Sequence, residues 1–180
     1  MKKPTLSSRR IIRFSESAAL LTVALALSLV ESLIPIQYII PLPGFKLGLA
    51  NMAIVVAFFR ISPFSAAIIS LGKALINSLL FSGISSLIYS VAGSVLSFAA
   101  LMFTAYVLKE RAGFIGTSIL MALFHNVGQL SAASLVTGNL LTVSYFPFLV
   151  GAAVVFGALN GIILSFLPKS FYEFKEIPDD

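Results

Sequence analysis

A chain of 180 residues that is 58% hydrophobic and only 11% charged, with a mean hydropathy of +1.02, lies outside the range of water-soluble domains and among polytopic membrane proteins. The absence of cysteine excludes disulfides, thiol nucleophiles and thiolate metal sites. The formal charge of +5 does not point to nucleic acid, because the basic residues gather at the ends of apolar runs and form no patch interleaved with exposed aromatics.

In chain order, a basic tail (1–13) is followed by six apolar segments. These are Phe14 to Leu33, Leu47 to Phe59, Pro63 to Phe81, Ile84 to Leu108, Phe114 to Val136 and Leu141 to Leu167, with a second tail at 168–180. The expectation is one all-α integral membrane domain over 1–180 with six transmembrane helices. A hydrocarbon core of roughly 30 Å needs about 20 helical residues. Five segments reach that length, and the second, with 13 residues, does not. It either begins inside the Pro41 to Lys46 loop or is a short helix shielded by its neighbours. The first apolar run, Ala18 to Leu33, leads on into further spans and lacks a clear A-x-A cleavage site, so it reads as a retained helix and not a cleaved signal.

The punctuation supports this division. Pro35 stops the first helix, Ser62-Pro63 supplies an N-cap followed by proline at the first helical position, and Ser82-Gly83 and Thr137-Gly138-Asn139 read as tight turns. Pro147 either starts the sixth helix late, with Ser144 near its cap, or kinks it. Small residues at helix-packing spacing, Ala153, Gly157 and Gly161 and also Ala53 with Ala57, suit close helix approach. With six spans, ten of the twelve Lys and Arg residues fall on one side, only Lys46 falls on the other, and Lys73 lies within a span. The positive-inside rule then predicts that both termini are cytoplasmic, and the expected location is the cell inner or plasma membrane.

Ionisable groups at bilayer depth are costly, so each is a functional candidate. Glu31 lies near the outer end of span one, Lys46 opens span two, Lys73 sits midway along span three and His125 midway along span five, joined by the amides Asn51, Asn77, Asn126, Gln129 and Asn160. Lys73 and Asn77 are four residues apart and share a helix face, as do His125 and Gln129, with Asn126 on the adjoining wedge. A polar cavity opening outward accounts for this set, with Glu31, Lys46, Asn51, Lys73, Asn77, His125, Asn126 and Gln129 as ligand-binding residues. Set against it are structural readings: a Lys73–Glu31 pair, a hydrogen-bonded packing histidine, interhelical bonding by Asn160, and snorkelling of Lys46 to headgroups. Two cations, a histidine and several amides among aromatic and aliphatic walls suit a solute with an anionic or carbonyl-rich part and a flat or apolar body. Vitamins, flavins and prenyl phosphates all qualify.

The runs E-S-L-I-P at Glu31 to Pro35, P-G-F-K-L-G-L-A-N at Pro43 to Asn51 and H-N-V-G-Q at His125 to Gln129 together resemble the Gx transporter family, also labelled heptaprenyl diphosphate synthase component I. That family is similar to the substrate-binding S components of energy-coupling factor (ECF) transporters. The resemblance implies a six-helix fold, a pocket beneath the loop joining spans one and two, a small-molecule ligand, and as partners an ECF-type transmembrane coupling subunit with ATPases. The Ala-x-x-x-Ala docking motif of many S components is not matched in span one, where the nearest pairs are Ser15 with Ala19 and Ala24 with Ser28.

Catalysis by the chain itself is not expected. Prenyl chain elongation uses clustered aspartates to hold magnesium against diphosphate, and this chain has only Asp179 and Asp180. No phosphate loop occurs, since Gly72-Lys73 is followed by Ala74. No cofactor or metal is expected. Three readings stand: a solute-binding subunit of an ECF-like importer, a membrane accessory to isoprenoid or quinone synthesis, and a stand-alone carrier or channel.

Overall fold

The computed structural model describes residues 6–33, 48–82, 84–138 and 144–168. Within these, the chain forms six helices: α1 (Leu6–Leu33), α2 (Ala50–Arg60), α3 (Pro63–Asn77), α4 (Ile84–Phe103), α5 (Gly113–Thr137) and α6 (Phe146–Ser165). A π-helical turn, Ser78–Ser82, prolongs α3; another, Thr104–Leu108, prolongs α4 before a 3-10 turn at Lys109–Arg111. There is no strand among the described residues. Five helices are long and apolar enough to cross a membrane, and α2, with 11 residues, is not. The protein is an all-α polytopic membrane protein.

Helix ends follow local chemistry. Ser62 is extended, its Oγ accepts from the Ser65 amide at 3.1 Å, and Pro63 opens α3 where its missing N–H costs nothing. Gly138, with φ of 64°, closes α5 in the left-handed conformation that glycine adopts without strain. Pro147 lies in the first turn of α6, so the helix starts late and is not kinked there. The α1 helix begins earlier than its apolar run, at Leu6, so the tail expected over 1–13 is helical for much of its length. Pro35, Gly83 and Asn139 lie outside the described residues.

The short helix is the axis of the bundle. Ala53, Ile54, Val55, Val56, Ala57 and Phe58 of α2 are all buried, packed against Ala24, Ala66, Ile69, Leu101, Met121 and Leu164 from the five other helices. A helix apolar on every side belongs in an interior, and this one is shielded from lipid by its neighbours. The start of α1 meets the end of α2 through an Arg60 to Glu16 ion pair at 2.9 Å, whereas Glu31 near the end of α1 meets Leu49 at the start of α2. The two helices therefore run antiparallel. Phe58 makes edge-on contacts with Phe59, Phe98 and Tyr106 at centroid separations of 5.2, 6.4 and 6.2 Å, and Phe59 meets Phe114 at 6.0 Å. The basic end of α2 is thus wrapped in aromatic rings.

Helices α4, α5 and α6 pack so closely that backbone touches backbone. A Cβ on Gly157 would lie 2.6 Å from the Ile119 Cα, and one on Gly161 would lie 2.4 Å from the Ile115 Cα. The small-residue spacing in α6 therefore serves internal packing. Phe166, Leu135 and Phe64, exposed by 85%, 84% and 75%, carry the apolar outer surface that a bilayer covers.

Gly157→Ala and Gly161→Ala must push α5 from α6, with an expected loss of about 1–3 kcal/mol from overpacking. Gly151 has open space around its α-carbon, so Gly151→Ala gains up to about 1 kcal/mol of helix propensity. Thermal unfolding in detergent, followed by circular dichroism because the chain lacks tryptophan and cysteine, reads these opposite signs. A fall for Gly151→Ala matching that of the other two would contradict the packing assignment.

Candidate functional site

The site grows from the first turn of α2. A helix start leaves N–H groups with no partner inside the helix, and Leu49, which precedes the helix, has no side-chain acceptor to offer. Glu31, 18 residues earlier and on another helix, supplies one: its Oε1 accepts from the Leu49 amide. The carboxylate also sits at the positive end of the helix dipole. Gly48, with φ of +79°, turns the chain into α2 in a conformation that suits glycine, and a Cβ there would lie 3.4 Å from Asn51 Nδ2 and 3.6 Å from Asn160 Nδ2. One residue into the helix, Asn51 accepts a hydrogen bond through Oδ1 from Lys73 Nζ at 2.9 Å. The start of α2 is held from α1 by Glu31 and from α3 by Lys73, with Asn160 of α6 close by.

Around it lies a small polar cavity with an open mouth. Its walls are Ser28 and Glu31 of α1, Gly48, Ala50 and Asn51 at the start of α2, Lys73, Ala74 and Asn77 of α3, Ser90 and Ser94 of α4, and His125 and Gln129 of α5. Apart from Gly48, Ala50 and Ala74, every one of these residues is polar. No aromatic side chain is among the described lining residues. Asn77 is 3% exposed and Ser94 is 2% exposed, yet Asn77 Oδ1 and Ser94 Oγ have no hydrogen-bond partner among the described residues. Most buried polar atoms are paired, so such atoms call for an explanation.

Six of the eight sequence-nominated residues, Glu31, Asn51, Lys73, Asn77, His125 and Gln129, line this one cavity. Asn126 is not among its lining residues; its Nδ2 donates to the Leu149 carbonyl at 3.1 Å and ties α5 to α6. Lys46 lies outside the described residues. Lys73 and Glu31 share the cavity, and each bonds to the start of α2.

Ser28, Ser90, Ser94 and Gly93 were missed by sequence reasoning. The serines repeat at helical spacing, Ser90, Ser94 and Ser97 lying four and three residues apart, a signal muted by how readily apolar helices carry serine. Gly93 makes room for the α5 wall, since a Cβ there would stand 2.9 Å from both His125 Cε1 and Gln129 Cγ.

The model of one protein family, described as heptaprenyl diphosphate synthase component I, matches residues 20–167, and the chain belongs to that family. No curated protein and no solved structure matches it.

Lys73→Met removes the donor from the buried Asn51 Oδ1, with an expected stability loss of about 1–3 kcal/mol. If that bond is the cause, adding Asn51→Leu restores part of the loss, since contacting residues couple. Melting curves of both single variants and the double variant give the coupling. Strictly additive losses would mean that the bond contributes nothing.

Proposed function

We propose that this member of the heptaprenyl diphosphate synthase component I family is a solute-binding membrane protein. It would take a small, partly anionic molecule into the cavity at the start of α2 and serve as the capturing subunit of an ECF-like importer, without catalysis of its own. The observation that carries this reading is the convergence of Glu31, Lys73, His125 and the amides Asn51, Asn77 and Gln129 on one chamber. Purely structural polar groups in a membrane helix need only one partner each, and nothing obliges them to share a space. Groups gathered on one cavity at membrane depth are the pattern of a solute pathway.

Orientation supports capture from outside. Arg60, Lys109 and Arg111 lie at the ends of α2 and α4, while the cavity lies toward the starts of those helices. On the positive-inside rule the basic end is cytoplasmic and the cavity faces the exterior. A short helix starting at membrane depth, with its N-terminus toward a polar site, recurs in transporters that bind anionic groups. The chain carries no phosphate loop, so energy for import would come from ATPase subunits through a transmembrane coupling subunit. The family's description as a component I fits a chain that works with protein partners.

That same description favours a second reading, an accessory role beside a separate prenyl diphosphate synthase. The two readings differ in what accompanies the protein. Protein purified from its own membrane in mild detergent is denatured, and the small molecules released are measured by mass spectrometry alongside a Lys73→Gln variant, which keeps a donor for Asn51 and removes the cation. Capture predicts a polar solute present with the wild type and depleted by about tenfold or more in the variant, the scale of one lost charged hydrogen bond. Identical small-molecule profiles, together with a co-purifying aspartate-rich synthase whose output changes, would favour the accessory role.

A further inference from the structure

The end of the molecule away from the cavity carries a surface that solute capture does not use. Helix α1 is the least buried of the five spanning helices. Along its middle, the large side chains it exposes, Val23, Leu29 and Val30, are apolar, as contact with acyl chains requires. Its first turns differ. The sequence reads R-R-I-I-R-F from Arg9 to Phe14, and Arg10, Ile11, Ile12, Arg13 and Phe14 are all exposed, Ile11 by 66% and Phe14 by 78%. Guanidinium groups alternating with large apolar side chains suit neither water nor hydrocarbon alone. They suit the boundary between the two.

Depth agrees with that placement. The 28 residues of α1 extend about 42 Å, more than a hydrocarbon core of roughly 30 Å needs. The half-exposed Arg60–Glu16 pair marks the level of the boundary, because ions avoid the hydrocarbon. Arg13 and Arg10 precede Glu16 by three and six residues, which sets them about 4.5 and 9 Å farther out along the axis. A headgroup layer is about 5–8 Å thick on each side of the core, so both side chains reach lipid phosphates. Three residues apart, the two arginines are also neighbours on one helix face, with about 5–6 Å between their Cβ atoms. Neither is ion-paired among the described residues. Two guanidinium groups at that spacing bracket one phosphodiester, each offering paired N–H donors to its oxygens.

We propose that the first turns of α1 hold the headgroup of an anionic phospholipid in the leaflet at the basic end of the bundle. Its phosphate sits between Arg10 and Arg13, and its upper acyl chains run past Ile11 and Phe14. A choline lipid also offers a phosphate, but it brings an ammonium group against two cations and gains less. The competing occupant is the acidic C-terminal segment, with Glu173, Glu176, Asp179 and Asp180 against Lys169 and Lys175. Lipid is favoured because Ile11, Ile12 and Phe14 point in different directions around the helix at about 100° per residue, and only a surrounding bilayer covers them all.

The test uses the full chain in nanodiscs of equal parts phosphatidylcholine and phosphatidylglycerol. After transfer to mild detergent, retained lipids are counted by native mass spectrometry. The wild type is expected to retain phosphatidylglycerol in preference, and Arg10→Gln with Arg13→Gln to weaken that retention by about thirtyfold, about fivefold for each cation at a lipid surface. Arg10→Lys with Arg13→Lys, which keeps both charges, is expected to recover much of it. In phosphatidylcholine alone the glutamine variant is expected to melt at the wild-type temperature, and a clear fall there would make the arginines structural and overturn the assignment. Equal retention of the two lipids by the wild type, or preference that survives loss of both arginines, would overturn it as well. Displacement of the lipid by inorganic phosphate would make this a site for free anions instead. A several-fold rise in retention when Glu173, Glu176, Asp179 and Asp180 are changed to their amides would make the acidic segment the occupant and overturn the lipid assignment.

Discussion

A helix that starts inside a bundle leaves its first backbone N–H groups without intrahelical partners, and the arrangement around α2 answers that constraint. The helix has 11 residues, too few to bring both of its ends to the bilayer surfaces. Its first turn therefore needs acceptors from neighbouring helices. Glu31 provides one from α1, and Lys73 and Asn51 tie the same turn to α3. A carboxylate, Glu31, thus meets a backbone requirement in the middle of the bundle, Lys73 joins it through the Asn51 side chain, and both line the same cavity.

The two ends of α2 are built for different tasks. At the basic end, aromatic rings pack edge-on around Phe58 and an Arg60–Glu16 pair ties α2 to α1. At the other end the helix is surrounded by carboxylate, ammonium, imidazole, amide and hydroxyl groups. Helices α4, α5 and α6 meet through glycines whose added Cβ atoms would strike neighbouring backbone, which makes a rigid wall. The cavity-facing groups of that wall, Ser90, Ser94, His125 and Gln129, are positioned by packing that leaves them little freedom. Rigid support of this kind suits selection between similar solutes.

Much of this was legible in the sequence, for identifiable reasons. Length and hydropathy separate five spanning helices from one that is too short, and the Ser62-Pro63 pair marks the start of α3 because its capping chemistry is local. Lys73 with Asn77 and His125 with Gln129 were paired correctly because residues four apart share a helix face. Asn126 was grouped with them and instead bonds across to α6, since the residue after His125 is rotated by about 100° and meets a different neighbour. The serines and Gly93 carried no distinctive signal, because their importance lies in what they leave room for. The early start of α1 was hidden by its basic residues, which read as a tail although a helix carries them equally well.

The central proposal is that the hydrophilic side chains from five helices that line one chamber face the exterior. The chain has no cysteine, so single cysteines report without interference. In right-side-out vesicles, Ser90→Cys and Ser94→Cys should react with a membrane-impermeant methanethiosulfonate reagent added outside, while Ser97→Cys, buried one turn further along α4 and not among the lining residues, should stay unlabelled. Labelling of Ser94→Cys only from the cytoplasmic face, or from neither face, would contradict the account.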